Sequence, residues 1–121
     1  MGINSTEVSY NFGQLGSAFN DGTGVMTPPT GKVFIAITML DDCKFNATDG
    51  LEAANDSTAG LEYIGTDEAA HNSALSPDLG ESGVGGLQVD ASNTFPAGVT
   101  IYGRWNKIKP TEGSIIAYIG Q

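Results

Sequence analysis

A single cysteine and a single histidine, Cys43 and His71, leave this chain almost bare of the side chains that ligate soft metals or act as nucleophile and base near neutral pH. One cysteine excludes an intrachain disulfide, so the chain is not a disulfide-stapled secreted domain. Cys43 closes an apolar run and reads as a buried, inert thiol. A zinc site needs several His or Cys ligands, and one of each does not make one. A Cys43–His71 pair has no surroundings that would activate a thiolate. Cations are scarce as well, with 5 Lys and Arg against 14 Asp and Glu and a net charge of −9. Phosphate neutralisation needs clustered Lys and Arg, so nucleic acid is not an expected partner. No apolar run approaches the ~20 residues that span a bilayer, so no membrane partner is expected. No basic region followed by an apolar run marks a signal peptide at the N-terminus. Charged residues make up 16% of the chain, where globular domains usually approach ~25%.

The acids that are present form no recognisable machinery. Asp41 and Asp42 are adjacent, so on a strand they point to opposite faces and make a poor acid–base dyad. Asp49, Asp56, Asp67, Glu68 and Asp78 lie in polar stretches and read most simply as solvated. Calcium is the minority reading for them, because loop carboxylates and carbonyls suit a hard cation. Asn46-Ala47-Thr48-Asp49-Gly50 nevertheless lacks the carboxylate spacing of an EF-hand loop. Gly83-Val84-Gly85-Gly86 follows no strand and precedes no helix, so it is not a phosphate loop. Three glycosylation sequons occur, at Asn4, Asn46 and Asn55, as expected by chance in a chain rich in Asn, Ser and Thr. The expectation is a protein that is not an enzyme and carries no metal and no cofactor.

What is there is glycine, 17 residues of it, among many Ser, Thr, Asn and Asp. That composition predicts short strands separated by many turns. Glycine loses much backbone entropy on folding, so a partner or an oligomer could supply missing buried area. Residues 1–31 read as an N-terminal strand, with Val8, Tyr10 and Phe12 alternating, followed by an irregular contact segment that ends in the rigid turn Pro28-Pro29-Thr30-Gly31. Lys32–Leu40 (KVFIAITML) is the strongest strand. Val33, Ile35, Ile37 and Met39 fall on one side, and Phe34, Ala36 and Leu40 on the other. Two apolar faces predict a central strand covered on both sides. Burying five or six such side chains is worth on the order of 10 kcal/mol before entropy is subtracted.

Residues 41–94 read as strand excursions and a long surface loop, within one domain whose β-rich part is 32–121. Thr66-Asp67-Glu68-Ala69-Ala70 could open a brief helix with Thr66 at its N-cap. The most informative stretch is Phe95–Gln121. Phe95-Pro96-Ala97-Gly98 predicts a turn. Val99–Trp105 alternates, with Val99, Ile101, Gly103 and Trp105 on one face and Thr100, Tyr102 and Arg104 on the other. Gly103 in mid-strand predicts a bulge, or a place where a ring such as Trp105 crosses the backbone. Pro110-Thr111-Glu112-Gly113 reads as a turn into a last strand, Ile115–Ile119, that pairs antiparallel with Val99–Trp105. The fold class is therefore all-β, a single antiparallel β-sandwich or barrel-like domain with long surface loops.

Candidate contact residues follow from this map. Leu15, Phe19, Val25 and Met26 are apolar within an irregular stretch, so they either tuck under the core or join an intersubunit surface; Phe12 belongs with them. Arg104 and Lys107 fall in the one cluster of cations, Arg104 to Lys109, which reads as a solvated strand end or as a basic patch for an acidic partner. Trp105 and Tyr102 could form a sugar platform, but Trp105 shares its face with Ile101 and Val99 and reads as core.

Phe95–Trp105 closing with Ile115-Ile116-Ala117-Tyr118-Ile119-Gly120 resembles the C-terminal part of small virion structural proteins of tailed bacteriophages, notably marine and cyanobacterial ones. Gly13–Phe19 through Pro28–Ile37 resembles their N-terminal part. The two stretches cover about half the chain, and 41–94 lies outside them. The resemblance implies a capsid decoration, or cement, protein. Such a protein binds the outer surface of the shell and bridges coat subunits against the pressure of packaged DNA. Its partners would be the major capsid protein and its own copies, with a trimer favoured, and its place the exterior of the virion. The alternatives are a tail or fibre component that contacts the host, and a carbohydrate-binding module.

Overall fold

Every regular element is a strand in the computed structural model, which describes residues 15–47, 49–54, 63–66 and 89–121. In chain order they are β1 (Ser17–Asn20), β2 (Val33–Met39), β3 (Lys44–Phe45), β4 (Leu51–Ala53), β5 (Thr100–Ile108), β6 (Pro110–Glu112) and β7 (Ile115–Gly120). Five of them form one sheet in the order β1-β7-β2-β5-β4, and β3 pairs with β6 in a two-stranded ribbon. Every pairing is antiparallel. The all-β expectation holds, as two antiparallel sheets of unequal size. The Val8–Phe12 strand lies outside the described residues.

The centre of the sheet is β2, as two apolar faces require. It pairs with β5 on one side and β7 on the other. This corrects the expected β5–β7 hairpin. The two strands are not neighbours, because β2 lies between them. The reason is that Pro110–Glu112 is not a plain turn. It is β6, which leaves the main sheet to pair with β3, Lys44 opposite Glu112 and Phe45 opposite Pro110. The chain then re-enters the main sheet one strand further over.

Strict alternation along β2 also fails at one place. The register shifts between Phe34 and Ala36, against both β5 and β7. An inserted residue resets which side chains share a face. Phe34 therefore joins Ile37 and Met39 in the core instead of facing away from them. Ile35, displaced to the other face, packs on Gly120, where a Cβ would come within 2.6 Å of its Cγ2.

The core lies on one face of the large sheet. Phe34, Ile37, Met39, Trp105, Ile108, Ile115, Ala117 and Ile119 meet Met26, Cys43, Phe45 and Leu51 there. Phe95 adds an edge-on ring contact to Phe45, with centroids 5.4 Å apart. Trp105 is fully buried, and its indole N–H donates to the Ile64 carbonyl at 2.8 Å. Gly103 is the place its ring crosses: a Cβ there would lie 2.6 Å from Trp105 Cζ2. Pro96 closes a turn on Val99, whose amide reaches the Pro96 carbonyl at 3.3 Å, and Gly98 takes the positive φ (88°) that this turn demands.

Candidate functional site

The opposite face of the large sheet is where aromatic and apolar side chains reach solvent. The register defines it. Phe19, Ile116, Thr38 and Thr100 stand in one row across β1, β7, β2 and β5. Ser17, Tyr118, Ala36 and Tyr102 stand in the next. Alternation puts Leu40 on the same face, one residue past β2, held by its N–H to the Ser114 carbonyl at 2.8 Å. Phe19 and Tyr102 are each 62% exposed and Leu40 is 45% exposed. Ala36 is buried, with Tyr118 and Tyr102 on either side of it in its row. Thr38 and Thr100 join hydroxyls at 2.8 Å and satisfy each other. The face thus offers three large, spread side chains on a stiff four-strand platform.

Charge is sorted along the strands. At the end where β2 finishes and β7 begins, Asp41, Asp42, Ala97, Glu112 and Gly113 line a shallow recess. The Ala97 N–H donates to Asp42 Oδ1 at 3.0 Å, and the Ser114 hydroxyl reaches Asp41 Oδ2 at 3.5 Å. Asp21 follows β1 at this same end, and Lys44 stands opposite Glu112 in the ribbon. At the other end, Lys107 and Lys109 run out along and past β5, with Arg104 midway along it. Lys32, just before β2, comes to their level. Lys107 pairs with Glu52 across β4 and β5 at 3.5 Å.

Among the described residues no group of three or more His, Cys, Asp or Glu is placed to hold a metal ion. Cys43 is buried, its thiol donating to the Asp41 carbonyl at 3.0 Å. Burial pushes its pKa up, and the nearby Asp41 and Asp42 carboxylates push the same way. It is a thiol held neutral. Asp90 sits in a turn where the Ser92 hydroxyl and amide hold its carboxyl below the usual range. His71 lies outside the described residues.

The contact residues expected from sequence scatter across this map. Phe12 lies outside the described residues. Phe19 lies on the open face. Leu15 and Val25 are exposed but belong to the flanks of β1 and of the Met26 bridge. Met26 leaves the contact set. It is buried, and it exchanges both backbone hydrogen bonds with Ile108, at 2.8 and 3.0 Å, which seats its side chain in the core. Arg104 lies midway along β5 and Lys107 toward its basic end, both away from Phe19. Trp105, fully buried, has no ring face to give a sugar. Leu40, Ile116 and Tyr118 were not singled out from sequence, because a strand with two apolar faces does not show which of them the core covers. Neither a scan against models of protein families, nor a search of curated proteins, nor a search of solved structures finds a match to this chain.

Proposed function

We propose that this protein is a structural component of a tailed-phage virion that binds the outer surface of the capsid and stabilises the shell by bridging coat subunits. The observation that carries the reading is the open sheet face: Phe19, Leu40 and Tyr102 project from four paired strands without a covering layer among the described residues. Exposed aromatic groups on a rigid platform are what a binding surface uses, because they bury large area at small entropic cost. The resemblance of both chain ends to phage virion proteins supports the same reading. The coat protein is the partner proposed for the open face. Multivalent attachment makes weak single contacts sufficient on a repeating shell.

Imaging of purified virions at a resolution that separates subunits tests this. Density for the fold on the shell exterior, in many copies and with the Phe19–Tyr102 face against coat protein, is the expected result. A few copies confined to the tail would overturn the capsid role and favour a tail or fibre component.

A further inference from the structure

Among the described residues the large sheet has two ends of opposite charge, and nothing in a shell-binding role requires that. At one end stand Asp21, Asp41, Asp42 and Glu112 with a single cation, Lys44. At the other stand Lys32, Lys107 and Lys109, with Glu52 and Asp49 the carboxylates among the described residues there, and Arg104 lies midway along β5. The separation follows from the register: β2 and β7 run antiparallel, so the loop after β2 and the turn before β7 share one end. The end of β5 and the start of β2 share the other. Asp21, Asp41, Asp42 and Glu112 are all exposed, and Lys32, Lys107 and Lys109 are half-exposed, so both ends meet solvent.

We propose that copies of this chain associate head to tail, the acidic end of one against the basic end of the next. The occupant of each end is a second copy because each end carries the complement of the other. A contact between unlike patches is heterologous: it closes into a ring when its rotation allows, and otherwise grows as a chain. Complementary potentials set register and raise the association rate, and both effects weaken as salt screens them. This interface is separate from the Phe19–Tyr102 face, so self-association does not rest on capsid binding.

The test is sedimentation of the full chain at low and high salt, with two surface variants, Asp41→Lys/Asp42→Lys and Lys32→Glu/Lys109→Glu. Wild type should associate at low salt and dissociate as salt rises. Each variant alone has two ends of like charge and should associate about tenfold or more weakly. An equimolar mixture of the two variants should regain association, because one then offers two basic ends and the other two acidic ends. The buried-type emission of Trp105 shows that each variant is folded. A wild type that stays monomeric at low salt, variants that associate as wild type does, or a mixture that stays monomeric would each overturn the proposal. A wild type that stays monomeric yet binds shells normally would separate this failure from that of the capsid reading.

Discussion

At the residue scale, Trp105 and Gly103 act as one unit. The indole is pinned at its N–H by the Ile64 carbonyl and lies flat enough over Gly103 that a methyl there would overlap it. Gly103→Ala must move either the ring or the strand. The expected cost is about 1–3 kcal/mol, the usual range for overpacking a closed core. Denaturant unfolding followed by the emission of the only Trp measures it; an unchanged midpoint would show that the ring has room to shift. Cys43 gives a second test. Its thiol pKa is raised in the fold, so neutral thiol is favoured there and the unfolded chain ionises first. Stability from this group is complete below the ordinary thiol value of 9.0 and is lost as pH climbs from there through the folded pKa. Cys43→Ala should flatten that alkaline decline. A native thiol that reacts with a thiol reagent as fast as the unfolded chain would contradict its burial.

At the element scale, the weak point is β4, three residues at the sheet edge. Its outer side is closed by Thr66, which is fully buried. The Thr66 hydroxyl accepts the Leu51 N–H at 2.8 Å, and the Thr66 N–H donates to the Leu51 carbonyl at 2.9 Å. Thr66→Val keeps the shape and removes the acceptor. The buried Leu51 amide then has no partner, at an expected cost of about 1–3 kcal/mol. Hydrogen exchange at Leu51 should quicken more than exchange in β2, and Thr66→Ser should restore most of the protection. Equal exchange in Thr66→Val and wild type would remove the clamp. From sequence Thr66 could open a brief helix as its N-cap; its hydroxyl accepts the Leu51 N–H, 15 residues back along the chain, and Asp67–Ala70, which would form that helix, lie outside the described residues. The pattern explains which elements could be read. β2, β5 and β7 are long enough to show alternation, and Gly103 announces its ring because only a missing Cβ admits one. β1, β3, β4 and β6 hold two to four residues each and carry no period. Their pairing comes from partners far away in sequence, which local pattern does not contain. The open face was half legible for the same reason. Phe19 was chosen because it is an apolar residue in a polar stretch. Leu40 and Ile116 were not, because in a strand apolar on both sides only the other sheet decides which face is core.

At the scale of the whole molecule, charge governs two behaviours with opposite signs in salt. Between Lys44 and Arg104 the sequence holds nine carboxylates and no cation, as large a negative charge as the whole chain carries. Like charge held together opposes the compact state. Salt shortens the reach of that repulsion, from ~10 Å at 0.1 M to ~3 Å at 1 M. For dilute, monomeric protein the melting temperature should therefore rise with sodium chloride, by a few degrees for about 1 kcal/mol. Among the described residues the ion pair that salt would weaken, Lys107 with Glu52, is partly solvent-exposed and worth too little to reverse the sign. Head-to-tail association runs the other way, since its attraction is the quantity being screened. Melting curves and sedimentation profiles on one salt series should then diverge, the fold growing more stable while the assembly comes apart. A melting temperature that falls with salt in dilute protein would mean that attraction between the described charges outweighs the repulsion, and that the acids of the central stretch are neutralised within the fold.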